Sequence, residues 1–203
     1  MKKIAALNSV LLLLAACFAG YEIIYGIEGL DFLPTLYYTT AFGILLLSSL
    51  LLILLGLEIL ENTPVVIVTT LIPLSLSLGI LSQYLPGLHG VFLIFALIGL
   101  AGILITRVYK IRIISTIVLA VAHGLAGLII FILPIALSLS GRAPLGFALV
   151  GIGGFLVGCA GLMLMFVKIG KPLFFLSQDK IYLLFPLLLV IITALFVFGI
   201  PGA

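Results

Sequence analysis

The amino-acid sequence predicts an all-α fold, a polytopic bundle of about seven transmembrane helices in one domain, and three observations carry that expectation. The first is composition: 65% of the 203 residues are hydrophobic and 7% are charged, against roughly 25% charged in an ordinary soluble domain. At a mean hydropathy of +1.57, polar residues are too few to cover a core in water, so most side chains must face lipid or one another. The second is spacing, because apolar runs of about 20 residues, one bilayer crossing each, fill the chain between breaks of Pro, Gly or charge. The third is the uneven placement of the 9 Lys and Arg.

In chain order the expected spans are 4–25, 35–57, 64–84, 88–106, 113–139, 145–167 and 181–200. The first follows Lys2 and Lys3, and it has a second reading. Leu14-Ala15-Ala16-Cys17 resembles the lipobox ahead of a lipid-modified cysteine in bacterial lipoproteins. The residues after it, FAGYEIIYG, stay apolar where a lipoprotein opens into a polar tether, so an uncleaved first helix is expected. Pro34, Pro64 and Pro144 stand at the start of the second, third and sixth spans, where a missing N–H costs nothing. Asn62 and Thr63 are candidate caps for the third. Pro73 interrupts that span and Ser75, Ser77 and Ser82 dilute it, which a membrane helix tolerates when neighbours satisfy the freed carbonyl.

Basic residues set the expected orientation. With the N-terminus in the cytoplasm, Lys2, Lys3, Arg107, Lys110, Arg112, Lys168, Lys171 and Lys180 fall inside and Arg142 alone falls outside, a split of 8 to 1 that leaves the C-terminus outside. Tyrosine supplies the interfacial belt in a chain with no Trp: Tyr21, Tyr25, Tyr37, Tyr38 and Tyr84 at the outer boundary, Tyr109 and Tyr182 at the inner one. The inner connection 168–180, KIGKPLFFLSQDK, reads as a lipid-surface loop or a docking loop for a partner. The net charge of +3 is too small and scattered for a nucleic-acid groove.

Punctuation hints at a 3+1+3 parallel repeat, since Pro34 and Gly43 in the second span match Pro144 and Gly153 in the sixth, and Pro73 and Pro186 break the third and seventh. Small residues form two stripes. Gly151, Gly154, Gly158 and Gly161 lie along one face of the sixth span, and Thr116, Ala120, Gly124 and Gly127 along one face of the fifth. Such faces let backbones approach in lipid, so these two helices are expected to pack together, although a glycine face also makes room for a flat ligand.

Three ionisable residues are candidates for solute binding or proton linkage. His123 lies near mid-membrane on the fifth-span stripe, with Ser48, Ser49, Ser75 and Thr193 at comparable depth as hydroxyl partners. His89 stands at the outer mouth of the fourth span. Glu22 lies within the first span, where it can snorkel to the outer interface or line an outward-facing vestibule with Tyr38, Gln83, Tyr84 and His89. Glu58 and Glu61 close the second span on the inner side, within reach of Arg107, Arg112 or Lys168.

No catalytic constellation or metal-ligand spacing is present, and Cys17 and Cys159, about 10 Å apart in depth at 1.5 Å per residue, cannot bridge. The two histidines differ in depth by about 15 Å on the same count and cannot share a haem, which leaves a single axial histidine as the only haem arrangement. The leading expectation is a small transporter or channel-like protein of the cell membrane for a neutral or weakly polar solute, with no cofactor. The alternative is a structural or haem-binding redox subunit of a larger membrane complex. Expected partners are the lipid bilayer and either a second copy or complex subunits.

Overall fold

The computed structural model describes residues 2–27, 29–56, 59–60, 62–168 and 178–200, with side chains for all of these except 2–5, 112, 164–168 and 178–182. The described residues form seven helices and no strand: α1 (Lys2–Tyr21), continued by a π-helical turn (Glu22–Gly26), α2 (Phe32–Leu55), α3 (Thr63–Tyr84), α4 (Pro86–Val108), α5 (Arg112–Leu139), α6 (Ala148–Lys168), preceded by a 3-10 turn (Leu145–Phe147), and α7 (Gln178–Gly199). Six are long and apolar enough to cross a bilayer, and α7 carries a shorter apolar stretch, Leu183–Gly199. The chain is an all-helical, multi-pass membrane protein.

Helix ends follow local chemistry. Gly56 adopts φ 76° and stops α2, its N–H donating to the Leu52 carbonyl at 2.9 Å. Pro64 and Pro86 occupy the first turns of α3 and α4. The expected Asn62 cap is not made. Pro64 stands at the second helical position and has no N–H for the Asn62 side chain to receive. Only Leu85 separates α3 from α4, and its N–H donates to the Leu81 carbonyl at 2.9 Å. Gly141, at φ 71°, turns the chain between α5 and α6. Pro73, Pro134 and Pro186 lie inside unbroken helices. Pro134 and Pro186 are fully buried, so neighbouring helices cover the break in their ladders.

The principal helix contacts trace a ring in the order α1, α2, α3, α5, α6, α7 and back to α1, while α4 packs against α3 and α5. All six ring helices or their entry turns send side chains into one core, including Ala19, Phe42, Ile80, Leu137, Val150 and Phe196. A smaller cluster of Leu74, Leu78, Leu81, Phe92, Ala96 and Ala126 joins α4 to α3 and α5. Ser77 links α3 to α5 directly by donating to the Ala126 carbonyl at 2.9 Å. Most exposed side chains on these helices are apolar, as a lipid-facing surface requires.

The pairing of α5 with α6 is close over half its length. A Cβ on Gly151 would meet Ile135 at 2.5 Å and the Phe131 carbonyl oxygen at 2.7 Å, and one on Gly154 would meet Ile130 at 2.8 Å. Gly158 and Gly161, and Gly124 and Gly127 on α5, have open space where a Cβ would stand. The single stripe expected from spacing is therefore divided: Gly151 and Gly154 lie against α5, and Gly158 and Gly161 do not. Gly153, outside the stripe, packs on Phe196 of α7.

Candidate functional site

The site is built where α1 ends. Five residues, Glu22–Gly26, form a π turn, and Glu22 at its start is completely buried. Its side chain folds along its own helix, so that a Cβ on Gly26 would overlap the carboxylate. Gly26 is thus the seat of the carboxyl group. The next residue, Ile27, is buried in the main core. Neither Glu22 oxygen has a hydrogen-bond partner among the described residues. Snorkelling, one of the two fates expected for Glu22, does not occur, because the π turn and the approach of α2 close over the carboxyl.

Tyr38 of α2 faces this group. It is completely buried rather than part of the interfacial belt, and its hydroxyl donates to Gln83 Oε1 of α3 at 3.0 Å. The ring occupies space that a Cβ on Gly79 would contest at 2.5 Å. Glu22 and Tyr84 are its ionisable neighbours. Tyr84 lies on Phe147 with ring centroids 4.8 Å apart, which ties the end of α3 to the entry of α6. Tyr38 therefore links polar side chains of three helices, with Glu22 and Tyr38 fully buried and Gln83 and Tyr84 partly exposed. Tyr21 and Tyr25 point away from them, 54% and 62% exposed, as the belt requires.

The other two candidates lie elsewhere. His89, in the first turn of α4, pairs with Tyr37, its Nε2 2.9 Å from the hydroxyl and the ring centroids 5.5 Å apart. Tyr37 and Tyr38 leave α2 in different directions, so His89 is held apart from Glu22. His123 is half-buried, and its Nδ1 donates to the Leu119 carbonyl of its own helix at 3.2 Å. That backbone oxygen takes the place of the expected hydroxyl. Ser49 and Thr193 instead donate to Leu45 and Leu189 carbonyls one turn back at 2.9 and 2.7 Å.

Among the described residues no group of three or more His, Cys, Asp or Glu could hold a metal ion. Cys17 and Cys159 are both free thiols. Glu58, Glu61 and the connection 169–177 fall outside the described residues. Sequence reasoning gathered Glu22, Tyr38, Gln83, Tyr84 and His89 at one depth around an outward-facing vestibule; the structure buries Glu22 and pairs His89 with Tyr37 instead, and the two glycines that seat Glu22 and Tyr38 were missed. The signal for Gly26 was present, since it follows Glu22 by four residues and so lies on the same helical face.

No family model, curated protein or solved structure matches the chain.

Proposed function

We propose that the chain is a small transport or channel-like protein of the cell membrane that passes a neutral or weakly polar solute between two three-helix units. The supporting observation is the pattern of neighbours. Exchanging α1 with α5, α2 with α6 and α3 with α7 carries each principal contact of the ring onto another: α1·α2 onto α5·α6, α2·α3 onto α6·α7, and α1·α7 onto α3·α5. Parallel three-helix repeats joined by one linking helix produce this pattern, and transport folds are commonly built from such repeats. Here α4 is the linker that restores the direction of the second unit. Among the described residues Glu22 is the one buried side chain of an acid or a base, and a core so poor in charge suits an uncharged solute.

Reconstitution into liposomes tests the reading. Stopped-flow light scattering with urea, glycerol and a hexose should show entry of at least one faster than in protein-free vesicles. Phe18 and Phe198, 6.0 Å apart between ring centroids, join the two units at α1 and α7. In a background without Cys17 and Cys159, a bifunctional maleimide bridging Phe18→Cys and Phe198→Cys should abolish the added entry. Rates equal to empty vesicles for all three solutes would overturn the proposal.

His123 favours one second reading, a haem-binding subunit. An imidazole whose Nδ1–H is held by a carbonyl presents Nε2 as a ligand, and Gly124 and Gly127 leave open space beside it. Protein purified after haem-supplemented expression would then show a Soret band that His123→Ala removes.

A further inference from the structure

We infer that Glu22 is a reversible proton-binding site, occupied by a proton in the conformation described and released only when the π turn opens. The inference stands apart from the transport reading, because it concerns what the carboxyl binds rather than what crosses the membrane.

Burial and isolation carry the argument. Glu22 is 0% exposed, and neither of its oxygens has a donor among the described residues. A carboxylate in that condition loses its hydration and gains nothing in exchange, so the group is kept neutral by binding a positive charge. Two ligands supply one, a proton or a metal cation. A hard cation such as calcium gathers six to eight oxygens, whereas this carboxyl belongs to no group of three or more His, Cys, Asp or Glu among the described residues, and the Gln83 amide oxygen is already held by Tyr38. A proton needs one oxygen. The geometry fits a carboxylic acid folded against Gly26.

The groups facing Glu22 also show how the proton leaves. From α2 comes the Tyr38 hydroxyl, and through it Tyr84 from α3. Tyr21 and Tyr25 on the same helix point outward, and no Lys, Arg or His among the described residues acts on the carboxyl. When the π turn opens, the Glu22 O–H bond breaks and the proton passes to water. The Tyr38 hydroxyl then exchanges its bond to Gln83 Oε1 for one to the new carboxylate, which frees the amide oxygen. The Tyr38–Gln83 bond that joins α2 to α3 is thereby lost whenever Glu22 is ionised. A proton site of this kind sets whether α1, α2 and α3 are latched at their Glu22 end.

Infrared spectroscopy of the full chain in lipid nanodiscs tests this. With carbon-13 in the glutamate side-chain carboxyls, the wild type at neutral pH should show an isotope-shifted carboxylic-acid C=O band that moves in deuterium oxide and is absent from Glu22→Gln. Glu22→Gln replaces the acid by a neutral group of equal size, so it should melt like the wild type. If it fails to fold, the labelled wild type still decides, since loss of the acid band at high pH should coincide with a shift of the Gln83 amide carbonyl that Tyr38→Phe eliminates. No acid band in the labelled wild type at neutral pH overturns the inference. So does a band that survives in folded Glu22→Gln. Replacement of the band by a carboxylate band on adding sodium or potassium at fixed pH overturns it in favour of a cation site.

Discussion

Tyr37 and Tyr38 are adjacent, yet the fold uses them for different purposes. Tyr38 is completely buried against Gly79 and bonded to Gln83, while Tyr37 is half-exposed, borders the cluster that joins α4 to α3 and α5, and pairs with His89 in the first turn of α4. Tyr38→Ala should therefore lower stability by about 3–5 kcal/mol, the range for emptying a buried aromatic site, and Gly79→Leu should be as damaging because the ring cannot retreat. Tyr37→Ala should cost much less. Thermal melting followed by circular dichroism in detergent measures all three, and equal melting of the two tyrosine variants would contradict the assignment. In the sequence both residues read as interfacial belt. An acid within an apolar run stood out at Glu22, but its burial depends on a tyrosine 16 positions away turning inward, and nothing local to either residue encodes that.

At the scale of the helix, legibility was high for existence and low for facing. Seven apolar runs bounded by Pro and Gly were expected, and helices occupy each of them. Which side of a helix meets another is hidden, because in lipid the buried and the exposed faces are both apolar and no polar stripe marks the outside. Glycine spacing marks one face of α6, yet only Gly151 and Gly154 on it lie against α5, and spacing does not tell them from Gly158 and Gly161. A repeat of small residues along one face continues whether or not a neighbouring helix lies against every position of it. Gly154→Leu should accordingly separate α5 from α6 and lower the melting temperature, while Gly158→Leu and Gly161→Leu, which enter open space, should melt with the wild type. A finding that Gly158→Leu is as destabilising as Gly154→Leu would mean the helices stay together along their whole length. Ser77→Ala, which removes the link to the Ala126 carbonyl, should cost about 0.6 kcal/mol, the average for polar links between membrane helices.

For the whole molecule, the 8 to 1 distribution of basic residues is the ground on which we propose an orientation with the loop at Lys110 inside and that at Gly141 outside. Single cysteines at these two positions, in a background without Cys17 and Cys159, should react with a membrane-impermeant maleimide from opposite sides of intact cells. Reaction of both from outside would exclude that arrangement. The placement of α4 beside the ring was not legible, because chain order alone puts it in the middle of the bundle, and its exclusion depends on α3 packing directly against α5 through Leu74, Leu78 and Ala126.

The single-residue join at Leu85 bears on how the protein is made. With no loop to thread across the membrane, α3 and α4 leave the ribosome as two arms of one hairpin, and only a few polar groups, Gln83, Tyr84 and His89, must be carried to the far side at its tip. The hydrophobic gain of both arms is then available to offset that small penalty in one step. A nascent-chain force profile should accordingly record one extended pull across residues 63–108 rather than two separated ones. Ten polar residues inserted after Leu85 should divide it.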